Sequence, residues 1–379
     1  MDTGSPQFSV GIEEEYLLVE RDSRDLCSRP KEAMIEQMQR RVRPEQVSPE
    51  LLRCQVEVGT RPMTSFRELR KDLANLRRLV IETTAEYGLA PIAASTHPFA
   101  DWSPLPHTDK ERYSRLALDH GQVARRMLIC GQHVHVGIAD DGLRIDLMNQ
   151  ARYFLPHLLC LSTSSPFWRG KATGLKSYRL AVFDEMPRTG LPETFHGWGD
   201  YTRHVQVLID AGVIEDGSKL WWDIRPSWRY PTLEMRVCDT ATRLDDAITL
   251  AALYTCLLRF LWRMKRRNMT WRRYAVMLIA ENRWRAQRYG IEGPLIDFGR
   301  SSLVPYAQLL DEFLDMIADD AVALDCVREV EAARGILHRG TSADRQLQVH
   351  AEALERGLDT DSAMHAVVDW LIEETATGV

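Results

Sequence analysis

A chain of 379 residues, 45% hydrophobic and 27% charged, has the composition of a soluble globular protein and is long enough to bury a sizeable core. A net charge of −6 argues against a general nucleic-acid binder, and the basic run Arg263, Lys265, Arg266, Arg267, Arg272 and Arg273 reads as a solvated helix end. The seven cysteines (Cys27, Cys54, Cys130, Cys160, Cys238, Cys256 and Cys326) are scattered, odd in number and free of any Cys-x-x-Cys pair. That argues against a disulfide framework or a zinc site and for buried, reduced thiols in a cytoplasmic protein. No basic-then-apolar segment opens the sequence. The most apolar stretch, Ala247 to Leu261, contains Arg259 and runs into Arg263, so it reads as a buried core helix and not a membrane span.

The first predicted element is a strand from Phe8 to Val19, rich in β-branched, aromatic and leucine residues. It carries Glu13-Glu14-Glu15, where acids are normally depleted. In a strand, Glu13 and Glu15 project together, roughly 7 Å apart, and Glu14 projects the other way. A hard divalent cation between the pair would relieve their repulsion. The alternative is an exposed edge strand that carries charge against aggregation. A helix over Lys31 to Arg41 follows, then a second strand, Arg53 to Thr60, containing Glu57.

Ser65 to Glu68 forms a capping-box pattern that opens a helix with apolar positions Phe66, Leu69, Leu73, Leu76 and Val80, stopped at Gly88. Ala90 to Ser95 is a short strand, followed by a loop to about Lys110. Leu128 to Ala139 is the third important strand, with His133 and His135 on one face and Val134 and Val136 on the other. A helix from Leu143 to Leu161 leads into a long polar segment, Ser162 to Gly199. Segments of that length are usually functional or disordered, and Phe167, Trp168, Tyr178 and Phe183 argue for order. Two strands, Lys219 to Pro226 and Arg229 to Asp239, complete the β structure, and everything from about Leu244 reads as helical. Strands and helices without a βαβ rhythm predict an α+β fold, an antiparallel sheet covered by helices. A single domain over residues 1–379 is expected.

Several strands therefore carry polar residues where apolar ones are normal. If they share a sheet, one face gathers Glu13, Glu15, Glu57, His133, His135 and Glu234 beside Arg236, while Leu233, Met235 and Val237 face the core. Carboxylates with an imidazole suit magnesium or manganese rather than zinc. Arg179, Arg188, Arg225, Arg229 and Arg236 lie in or beside the polar segment and the last strands, and a guanidinium fork suits carboxylate or phosphate. Arg188 is read as a surface arginine. Carboxylates with arginines suit phosphoryl transfer. No P-loop, Gly-x-Gly-x-x-Gly turn or Gly-x-Ser-x-Gly elbow occurs.

Five segments then carry a resemblance: Gly11-Ile12-Glu13-Glu14-Glu15-Tyr16-Leu17-Leu18-Val19, Gly131-Gln132-His133-Val134-His135-Val136-Gly137, Trp222-Asp223-Ile224-Arg225-Pro226-Ser227, Thr232-Leu233-Glu234-Met235-Arg236-Val237-Cys238-Asp239 and Ala286-Gln287-Arg288-Tyr289-Gly290. The chain resembles the glutamate–cysteine ligase type 2, or carboxylate–amine ligase, family. The resemblance implies a glutamine-synthetase/guanido-kinase-like catalytic fold whose concave sheet face holds ATP and Mg2+, with Mn2+ as the alternative. It implies an ATP-dependent ligase that forms an amide through an acyl phosphate.

By motif position, Glu13, Glu15, Glu57, His133 and Glu234 would hold metal, and His133, His135 and Arg236 the ATP phosphates. Arg236 and Glu57 would be catalytic, and Glu50 would face the metals. Ser164, Arg179 and Arg225 would contact substrate, although Ser164-Ser165-Pro166 departs from the Asn-Ser-Pro or Ala-Ser-Pro expected of relatives. Small-molecule substrates, glutamate and cysteine first among them, and a homo-oligomer such as a dimer are implied, with neither nucleic acid nor membrane as partner. A metal-dependent hydrolase and a non-catalytic nucleotide- or amino-acid-binding protein are the alternatives.

Overall fold

The first strand, Val10–Glu20 (β1), is the axis around which the sheet is built. The computed structural model describes residues 6–103, 105, 106, 108 and 118–379; the end of the expected loop to Lys110 lies partly outside them. With Val47–Pro49 (β2), Gln55–Gly59 (β3), Leu89–Ile92 (β4), Gln132–Gly137 (β5), Ile224–Pro226 (β6) and Thr232–Met235 (β7), β1 forms a seven-stranded sheet in the order β6-β7-β5-β1-β3-β2. β4 pairs with the C-terminal half of β1, and every pairing in the sheet is antiparallel. The expected α+β class is therefore the observed one.

The period-2 alternation decides which face is which. Val10, Ile12 and Tyr16 of β1, Val134 and Val136 of β5, and Leu233 and Met235 of β7 are buried in one core with the helices Phe66–Ala85, Asp141–Ala151 and Leu244–Arg266. The last of these contains the expected core helix. Its Arg259 and Arg263 both pair with Asp320, and Arg263 also reaches Asp319. No helix among the described residues is long and apolar enough to cross a membrane.

The opposite face of β1 changes character at Leu17. Leu17 and Val19 belong to a second core with Ile92, Leu128 and Cys130, closed by Met364, Val367, Val368 and Leu371 of the C-terminal helix Thr360–Thr375. The run Leu17-Leu18-Val19 is thus buried on both sides. Burying one such side chain stabilises by roughly 1.5–3 kcal/mol. Only the N-terminal half of that face stays open, and it carries Glu13 and Glu15.

Three expectations are corrected. The helix expected over Leu143 to Leu161 is two helices, Asp141–Ala151 and Leu155–Ser162, joined by a 3₁₀ turn at Arg152–Phe154. Pro156 cannot donate to Arg152, and its ring would clash there. The polar segment after it contains a hairpin (Phe167–Trp168 with Lys171–Ala172) and a short helix, Tyr178–Phe183, and at its end a further helix begins, Trp198–Asp210. The region beyond Leu244 is not helical throughout, because Leu295–Asp297 pairs with Ser302–Val304. All seven cysteines are free and buried, as expected.

Candidate active site

The three consecutive glutamates divide as the alternation requires. Glu14 points into the helical core, where the Arg77 fork grips it through Nε–Oε2 at 2.8 Å and Nη2–Oε1 at 2.7 Å. The Tyr16 hydroxyl also donates to it, and Arg77 donates onward to the carbonyls of Ala241 (2.8 Å) and Thr242 (2.7 Å). A fully buried carboxylate is tolerable only with such a complete set of partners.

Glu13 and Glu15 face a cavity of about 620 Å³, within the range of small-ligand sites. Cross-strand register brings the other acids and imidazoles to them: Glu13 lies opposite His133, Glu15 opposite Glu57, and His135 opposite Glu234. His133 Nδ1 is 3.2 Å from Glu13 Oε2, and His135 Nε2 is 3.4 Å from Glu13 Oε1. Two triplets have ligand atoms within 4.8 Å of one another, Glu13/His133/Glu234 and Glu15/Glu57/His133. Donors of this kind, mostly carboxylate with one imidazole, fit magnesium or manganese.

The electrostatics separate the acids into two sets. Burial pushes Glu15 up to about 8, with the Glu50 charge adding to it. Burial, then the charges of Glu13, Glu50 and Glu15, hold Glu57 well above the usual carboxylate range. Glu234 is equally buried, yet Arg225 and Arg236 more than offset that and hold it well below the range. Burial is likewise outweighed at Glu13, by His135 and His133. Burial and the Arg236 charge lower His133 to about 4, so its imidazole is neutral and free to ligate. At His135 burial is outweighed by Glu234 and Glu13, which raise its pKa.

The arginines differ in how far they are committed. Arg225 forks onto Glu234 at 2.8 and 3.1 Å and donates to the carbonyls of Ser218 and Leu220, so it holds Glu234 in place. Arg236 also pairs with Glu234 and lies 3.4 Å from His133 Nδ1. Arg179, 3% exposed, lines the cavity and passes so close to Gly131 that a Cβ there would meet Nη2 at 2.4 Å. The Nε atoms of Arg179 and Arg236 are buried without a hydrogen-bond partner among the described residues, as guanidiniums awaiting an anion would be. Glu50 lines the cavity, and Arg229 stands at its wall with the half-exposed Trp228 and Tyr230. Arg188 lies outside the lining, donating to the Lys219 carbonyl.

Ser164 is outside the cavity too. It is fully buried, its Oγ accepts from Ser95 N at 3.1 Å, and its own N–H donates to Asp239 at 2.9 Å. Sequence reasoning missed Arg77, although an arginine four residues after Leu73 falls inside the apolar stripe of its helix and signals a buried acid nearby. It also missed Ser48, which donates to Glu57 at 3.2 Å.

Residues 9–363 match the family described as glutamate–cysteine ligase family 2. The chain belongs to that family. A Rhodospirillum rubrum protein provisionally named glutamate–cysteine ligase 2 is 58% identical over 373 residues, 98% of this chain and 96% of that one. A protein of the same provisional name from Ruegeria pomeroyi is 54% identical over 368 residues, 97% and 94% of the two chains. Among solved structures, glutamate–cysteine ligase from Francisella tularensis in complex with AMP gives a TM-score of 0.70 at 13% identity, covering 98% of this chain and 90% of that one. A bifunctional glutathione synthetase from Pasteurella multocida gives 0.69 at 15% identity, covering 97% of this chain, which spans about half (53%) of it. At such identities the likeness speaks to fold. This member of glutamate–cysteine ligase family 2 is an ATP-dependent carbon–nitrogen ligase that forms an amide bond, which selects among the alternatives the residues left open.

Proposed function

We propose that the cavity takes ATP and an amino-acid carboxylate, glutamate in the first instance, and couples them to an amine, with cysteine the first candidate, through an acyl phosphate. The observation that carries this reading is the meeting of two carboxylate–imidazole triplets with Arg236 on one open sheet face. Magnesium, or manganese in its place, would be held by Glu13, Glu15, Glu57, His133 and Glu234, and would neutralise phosphate charge as it shifts.

Arg236 donates to the γ-phosphoryl oxygens, and His135 stands beside the phosphates. Arg179, with its unpartnered Nε, binds the donor's carboxylate. Arg225 keeps Glu234 ionised and oriented. A carboxylate oxygen of the donor attacks the γ-phosphorus, the bond to the bridging oxygen breaks and ADP leaves. The amine nitrogen then attacks the acyl carbon, the carbon–oxygen bond to phosphate breaks, and the nitrogen gives up a proton.

Reduced buried cysteines support a cytoplasmic setting, and the family resemblance supports a homo-oligomer. The test is turnover with carboxyl-¹⁸O donor: label is expected in the released phosphate, and unlabelled phosphate during productive turnover would refute the acyl phosphate.

A further inference from the structure

Arg236 stands at a register slip. Against β5, residues Thr232–Met235 pair in one register, with Thr232 opposite Gly137 and Met235 opposite Val134. Four residues on, Asp239 bridges Gly131, so one residue more lies on this side than on β5. On the other edge, the N–H groups of Arg236 (2.8 Å) and Val237 (3.1 Å) both donate to one carbonyl, that of Asp223. Two residues opposite one is a β-bulge, a device that re-aims side chains beside active sites.

The Asp223 side chain is held from a distant element. Arg283, on the helix Val276–Tyr289, forks onto Asp223 through Nε–Oδ2 at 2.6 Å and Nη2–Oδ1 at 3.1 Å. The same guanidinium forks onto Asp184 at 2.6 and 2.9 Å. Asp184 caps the short helix that carries Arg179, and Arg179 Nη2 in turn donates to the Arg236 carbonyl at 3.2 Å. Arg283 and Asp223 are buried, and no cavity-lining atom belongs to Arg283.

We infer that Arg283 is a positioning residue for Arg236. It fixes the Asp223 carbonyl that makes the bulge at Arg236, and it ties the Arg179 helix to the same point. A guanidinium is required, because only a planar fork grips two carboxylates at once. The inference rests on the role given above to Arg236.

The test uses Arg283→Lys, which keeps the buried charge and loses the fork, with Arg283→Met as a harsher companion. Turnover is expected to fall roughly ten- to hundredfold, with the KM for ATP changed less than about threefold. Amide exchange followed by mass spectrometry should rise about tenfold over residues 232–239 and stay at the native level over 13–17. In an Arg236→Ala background, Arg283→Lys should reduce turnover by less than about twofold, since a residue acting through another adds nothing once that residue is gone. A folded Arg283→Lys enzyme with native exchange over 232–239 would overturn the inference. So would the same fractional loss in both backgrounds. If Arg236→Ala alone keeps full turnover, the proposed role of Arg236 fails, and the exchange measurement still decides whether Arg283 sets the bulge.

Discussion

Glu14→Gln should weaken the fold and spare the chemistry, whereas Glu13→Gln should do the reverse. Glu14 and Arg77 have no exposed side-chain surface and meet through two parallel bonds of 2.7 and 2.8 Å. Glutamine keeps the shape and one acceptor oxygen but removes the countercharge, leaving a buried guanidinium. Breaking one partner of such a pair costs about 3–5 kcal/mol. The carbonyls of Ala241 and Thr242 still accept from Arg77, which argues for the low end, about 3 kcal/mol. In a chain of 379 residues that is a fall in Tm of roughly 4 °C.

Glu13 has its charge answered by His135, whose pKa is raised, and lies within hydrogen-bond reach of the neutral His133 at the cavity wall, while burial pushes Glu15 up to about 8. Their glutamine variants should melt within about 2 °C of the native protein and lose at least roughly a hundredfold in kcat. Thermal melts and urea titrations measure the first quantity, and ADP release at a temperature well below every melt measures the second. A Glu14→Gln protein that melts like the native one and loses turnover as Glu13→Gln does would refute the division of β1 into a structural and a chemical face.

Cation binding should release protons at pH 7. Burial holds Glu15 at about 8, so at pH 7 it carries a proton that a cation must displace, and burial shifts Glu57 in the same direction. Apparent magnesium affinity should therefore climb with pH and level off above about 8, and calorimetry in buffers of differing ionisation enthalpy should detect the protons; their absence would contradict the assignment. Gly131→Ala places a Cβ 2.4 Å from Arg179 Nη2, a side-chain end that can yield. The variant should fold with a stability loss of about 1 kcal/mol and show a KM for the carboxylate donor raised roughly tenfold, and an unchanged KM would remove Arg179 from the substrate site.

The open face of the sheet was legible because strand alternation is local: once β1, β3, β5 and β7 are strands, Glu13, Glu15, Glu57, His133 and Glu234 are fixed to one side each. Their meeting depended on register, which the sequence does not print. What escaped reading lies in contacts between distant segments. Arg77 answers Glu14 across 63 positions, and Arg283 answers Asp223 across 60. The run Leu17-Leu18-Val19 looked like an ordinary half-buried strand because the helix that covers its second face, Thr360–Thr375, comes some 340 residues later. Ser164 misled for another reason. It was assigned to substrate by motif position alone, and only the packing of Ser95 and Asp239 around it shows that it is buried and hydrogen-bonded away from the cavity.

The charges within the cavity are not spread evenly, and the imbalance gives the site a direction. Glu234 receives two guanidiniums and Glu13 faces His135, whose pKa these acids raise, so the Glu13/His133/Glu234 triplet already has much of its negative charge answered. Glu15 and Glu57 face each other across β1 and β3 with Glu50 nearby, and what they receive is a single N–H from Gly131 and a single hydroxyl from Ser48, with Arg179 and Arg236 farther off. Burial first, and then the charge of Glu50 near both of them, raises both pKa values, the condition a divalent cation relieves most. The Glu15/Glu57 end is thus the stronger pull on a cation, and the arginine end at Arg179 and Arg236 the stronger pull on an anion. On the function proposed above, a metal-bearing triphosphate would satisfy both at once, with Glu15 and Glu57 as the residues that would hold its metal and Arg236 as the one that would meet its transferring phosphoryl group.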